Sequence, residues 1–99
     1  MPEISEQKII NVVLKVCTKY ICEIVDRVPY LPGGRGEIIC EKTDKDVLVG
    51  ISFSLKSGSE SAYAWTGTHR GKPTNSKEEK LDFYNLEESL DEYFRKNVN

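Results

Sequence analysis

The chain has 99 residues, with 38% apolar and 30% charged side chains and a formal net charge of -2. That composition fits one small globular domain over residues 1–99 and excludes a disordered tract. No apolar run approaches the ~20 residues needed to cross a bilayer. The opening MPEISEQK is acidic where a secretory leader would be basic, so a cytoplasmic protein with three free thiols, Cys17, Cys22 and Cys40, is expected.

Charge is uneven along the chain. Residues 78–99 hold three basic and seven acidic side chains, whereas residues 31–77 hold seven basic and five acidic. A duplex binder that contacts many phosphates needs a positive surplus, which the whole chain lacks. The acidic end instead favours a basic protein partner.

Residues 5–28 are the first predicted element. At 100° per residue, the apolar side chains from Ile9 to Val25 fill an arc of about 220°, which predicts one long amphipathic helix ended by Pro29. Ser5 is its expected N-cap. An arc that wide must be covered, either between sheet and last helix or by a second molecule. Val12, Val16, Tyr20 and Ile24 are the stripe expected to form a homodimer interface. On this wheel Cys17 points inward as an inert core residue, and Cys22 points outward.

Residues 29–36, PYLPGGRG, read as a loop, since their glycines lack the phosphate-loop spacing. Strands are expected at Glu37–Lys42, Asp46–Lys56 and Ser61–His69, joined by short turns and therefore antiparallel. In the second of these, Val47, Val49, Ile51, Phe53 and Leu55 share the inward face by strict alternation. In the third, Tyr63, Trp65 and His69 share a face, and Tyr63 and Trp65 are expected to pack under a helix. RGKPTNSK, at 70–77, is a basic polar loop. Residues 80–84 read as a short fourth strand in preference to an early helix start.

The last element is a helix capped by Asn85, with Glu87 and Glu88 in its first turn and Arg95 and Lys96 in its last, as the helix dipole favours. Leu86, Leu90, Tyr93 and Phe94 form its apolar stripe. The fold class that follows is a two-layer α+β domain, an antiparallel sheet of three or four strands covered by an N-terminal and a C-terminal helix.

Chemistry is sparsely signalled. The cysteines and His69 do not have metal-site spacing, and no nucleophile motif is present, so no metal, cofactor or catalytic residue is assigned. The stretch from Glu37 to His69 loosely resembles the layout of small microbial ribonucleases, which place a helix before an antiparallel sheet bearing Glu, Arg and His. That resemblance implies Glu37 or Glu41 as base, His69 as acid and Arg35 or Arg70 on phosphate. The strand between Glu and His carries only Lys56 where those enzymes have arginine. Tyr63 and Trp65 also suit base stacking in a small nucleic-acid-binding domain. The leading expectation is a non-catalytic interaction protein, such as a regulator, an inhibitor, an immunity- or phage-type accessory protein or a complex subunit. Glu87, Glu88, Asp91 and Glu92 are its expected contacts with a basic partner.

Overall fold

A computed structural model describes residues 5–31, 34–42, 44–67 and 78–98. In chain order it contains α1 (Glu6–Lys19), β1 (Glu23–Val28), β2 (Gly36–Lys42), β3 (Val47–Ser54), β4 (Ser61–Gly67), β5 (Glu79–Leu81), a 3-10 turn (Phe83–Asn85) and α2 (Leu86–Asn97). The strands form one antiparallel meander in the order β1-β2-β3-β4-β5. Both helices cover the same face. This is the expected two-layer α+β domain, with five strands instead of three or four.

The extra strand comes from the segment read as the end of the first helix. α1 starts where expected, with Ser5 Oγ accepting the Lys8 N–H at 3.2 Å, but it stops at Tyr20. There the Cys22 N–H reaches back to the Cys17 carbonyl at 2.8 Å, a closure of Schellman type that requires a left-handed residue between them. Ile21 supplies it, with φ 59°. Residues 23–28 then pair with β2 around a bulge between Ile24 and Asp26. Ile24, Val25 and Val28 are β-branched and suit a strand better than a helix. The arc of 220° was thus the sum of a helix and a strand. Ile21 and Val25, placed inside by the helical wheel, are exposed, at 78% and 48%.

A β-branched residue in the left-handed region is strained by about 1–2 kcal/mol. Since Ile21 is 78% exposed, little packing is lost by removing its side chain. Ile21→Gly should therefore stabilise the domain by about 1 kcal/mol, read as a raised urea midpoint. A lowered midpoint would show that the strain is not there.

The core lies between the sheet and the helix pair. β3 turns Val49, Ile51 and Phe53 to the core as its alternation predicts, while Val47 and Leu55 are only half-buried and the outward Gly50 and Ser52 are buried as well. Val49, Ile51 and Phe53 meet Ile9, Val13 and Val16 of α1 and Leu90 and Phe94 of α2 in one continuous cluster. Of residues 80–84, Lys80 and Leu81 belong to β5, as the strand reading expects, whereas Phe83 and Tyr84 belong to the 3-10 turn instead. Asn85 precedes α2, but its side chain makes no cap bond to the backbone and instead donates to Glu88 Oε2 at 3.0 Å.

The helices lie side by side in the same direction. Lys15 meets Glu87 at 3.2 Å and Lys19 meets Asp91 at 2.6 Å, so one turn along α1 matches one turn along α2. Tyr20 packs its ring 5.6 Å from that of Phe94 and donates its hydroxyl to Asp91. Buried Lys42 donates to the Tyr20 carbonyl at 3.2 Å, which places a cation at the negative end of α1.

Lys19 first, and then Tyr20, hold the Asp91 carboxyl below its usual range. This contribution to stability is present above the ordinary carboxylate value of about 4 and is lost as pH falls through the lowered value. The Tyr20 hydroxyl is pushed up by its bond to Asp91 and by burial, so its contribution is complete below about pH 10 and fades at higher pH. Asp91→Asn should flatten the acid limb of the stability profile below about pH 4, measured by thermal melts across pH. An unchanged acid limb would remove Asp91 from that role.

Candidate functional site

Directly opposed residues of an antiparallel pair share a face, so the register divides the sheet cleanly. Ile38, Val49, Ile51, Ala62 and Ala64 point to the helices. Among the described residues, no helix covers the opposite face. Across its centre run Asp26, Ile39, Gly50 and Trp65, and beside them Val28, Glu37, Ser52, Tyr63 and Lys80.

Tyr63 and Trp65 therefore stand on the open face, which corrects the expectation that they pack under a helix. The small side chains Ala62 and Ala64 are the ones under the helices, where close approach is needed. Trp65 lies flat over Gly50. A Cβ at Gly50 would fall 2.0 Å from indole Cε2 and 2.2 Å from Nε1, so the absence of a side chain there makes the berth. The indole N–H donates to Glu37 Oε2 at 3.3 Å, which fixes both the ring and the carboxylate. Next to it the Arg35 guanidinium sits 4.9 Å over the Tyr63 ring. Arg35 is 4.0 Å from Glu78 Oε2, and the same oxygen accepts from Ser52 Oγ at 3.1 Å.

The face is acidic. Among the described residues, the carboxylates of Glu23, Asp26, Glu37, Glu41 and Glu78 share it with two cations, Arg35 and Lys80. Glu23 sits directly opposite Glu41 in the register. Trp65 and Tyr63 remain half-exposed among these groups.

The residues expected from sequence are distributed differently. Val16 and Tyr20 are buried by their own chain, Val12 is half-buried on α1, and Ile24 belongs to β1. The four do not form one helical stripe, because the helix ends before Ile24. On α2, Glu87 pairs with Lys15, Asp91 with Lys19, and Glu92 with Lys96 at 3.3 Å and with Arg95 at 3.9 Å. Glu88 accepts from Asn85. All four acids thus already have partners within the domain, most of them cations.

For the ribonuclease-like arrangement, Glu37 and Glu41 do stand on the open face with Arg35 at its rim. His69 and Arg70 lie outside the described residues, as does the basic loop 70–77. The alternation of β3 turned Gly50 and Ser52 to this side, but sequence reasoning missed that Trp65 and its neighbours bury both of them there.

Among the described residues, no group of His, Cys, Asp or Glu side chains is placed to hold a metal ion, and no helix is long and apolar enough to cross a membrane. No family model matches the chain, and neither does any curated protein or solved structure.

Proposed function

We propose that this chain is a non-catalytic protein-interaction domain, acting in the cytoplasm, that receives a basic protein surface on the open face of its sheet. The observation that carries the reading is the pair of half-exposed aromatics, Tyr63 and Trp65, set among five carboxylates. Arginine side chains suit such a surface doubly, because the guanidinium stacks on an aromatic ring while pairing with a carboxylate. Arg35 does both within the chain, lying over Tyr63 and beside Glu78. An incoming arginine would find the same pairing at Trp65 and Glu37.

Charge argues for protein over nucleic acid. Among the described residues of this face, a phosphate backbone would meet more carboxylates than cations, and counterion release from them would not drive the encounter. The acids of α2 are a weaker contact, since Glu87 and Asp91 are already neutralised by Lys15 and Lys19 and exposed pairs of this kind are screened. An inhibitor of a basic enzyme, or a subunit that covers a basic surface in a complex, would use the sheet face in this way.

Trp65 is the only tryptophan in the chain, so its fluorescence reports on the face directly. Titration with an arginine-rich peptide should change the emission saturably, and added salt should weaken the effect. A response to single-stranded RNA with none to the peptide would favour the nucleic-acid reading instead.

A further inference from the structure

Cys17 of α1 and Cys40 of β2 meet across the helix–sheet interface. Their sulfurs are 2.8 Å apart, with the Cys17 thiol donating, and both side chains are wholly buried. A disulfide brings two sulfurs to about 2.05 Å, so covalent closure here asks for less than about 1 Å of further approach. The third thiol, Cys22, lies close enough to interact electrostatically with both. It is half-buried and turned toward the Tyr20 carbonyl, 3.6 Å from its sulfur.

We propose that Cys17 and Cys40 are an oxidisable pair that staples α1 to the sheet. The oxidant is a peroxide. Two S–H bonds break and one S–S bond forms. The two electrons and two protons released reduce hydrogen peroxide to two molecules of water. The linkage closes a loop that contains the whole of β1, so it ties the strained turn at Ile21 and the edge strand to the core.

Two features set the rate. The shared proton and burial keep the Cys40 thiol well above its ordinary range, and burial, the first cause for Cys22, pushes that thiol up to about 11. Thiolate is the reactive form, so the folded protein oxidises slowly, through opening of α1 from the sheet. Cys22 is the more accessible thiol and stays outside the linkage because Cys17 and Cys40 already touch.

The test is peptide mapping of the wild-type chain. Lys15, Lys19, Arg35 and Lys42 place the three cysteines on separate tryptic peptides. After treatment with hydrogen peroxide, or refolding in a redox buffer of reduced and oxidised glutathione, the fragment with Cys17 should be joined to that with Cys40, and Cys22 alone should take a thiol label. The melting temperature should rise by roughly 10 °C or more over the reduced form, and reductant should reverse the rise. Cys22→Ser should keep both the linkage and the rise. A linkage that contains Cys22, or three labelled thiols after refolding under oxidising conditions, would overturn the proposal. Both readouts use the wild-type chain and stand even where Cys40→Ala fails to fold.

Discussion

Replacing Phe94 with alanine should cost about 3–5 kcal/mol, a large part of the roughly 5–15 kcal/mol that holds a small domain together. Phe94 is fully buried and packs against Tyr20, so it is where α2 grips both α1 and the sheet. Truncation leaves a cavity among fully buried neighbours such as Ile9, Val13 and Leu90, which a close-packed core cannot easily collapse. Urea unfolding should show the midpoint falling steeply with an unchanged slope. Leu14→Ala, on the exposed side of α1, should stay within about 0.5 kcal/mol of wild type. A loss below 1 kcal/mol for Phe94→Ala would mean that α2 is not part of the core.

The second large effect concerns function more than stability. Gly50→Ala puts a methyl group where the Trp65 indole now lies, 2.0 Å from Cε2 and 2.3 Å from Cζ2. One of the two must move. β3 is a central strand held on both edges, so the ring is what yields, and it gives up its bond to Glu37. The expected result is a red-shifted tryptophan emission and at least a tenfold loss of affinity for an arginine-rich peptide. The stability cost should be only about 1–3 kcal/mol, as for other overpacked sites. Trp65→Ala should lose as much binding alone, and the double substitution should lose little more, because both changes remove the same surface. Additive losses would separate Gly50 from the site.

These effects depend on features that were unequally legible in the sequence. β3 was plain, since strict alternation with small outward residues has no good helical reading. The start of α1 was plain through Ser5, and α2 through its acids, its closing Arg95 and Lys96 and its apolar stripe. The end of α1 was hidden because the usual signal, a glycine after the last turn, is missing. Ile21 takes that conformation at a cost, and Ile24 and Val25 happen to continue the helical wheel. β1 is an edge strand that packs only Ile24 against the core, and the bulge after it interrupts the period of two.

The candidate site was half-legible. Alternation put Tyr63 and Trp65 on one side of β4 but could not say which side the helices take. The register decides it by setting Trp65 against Gly50 and Ala64 against Ile51. The indole then lies over a glycine on the open face, and alanines meet the helices. The acidity of that face was invisible to a count along the chain. It is gathered from β1, β2 and the residue before β5, segments far apart in sequence.

The most direct test of the docking face is amide-resolved NMR of the isotope-labelled protein titrated with an arginine-rich peptide. The account predicts shifts concentrated on Asp26, Glu37, Ser52, Tyr63 and the Trp65 indole N–H, with α2 quiet. Shifts confined to Glu87, Glu88, Asp91 and Glu92, or no shifts at saturating peptide, would contradict it.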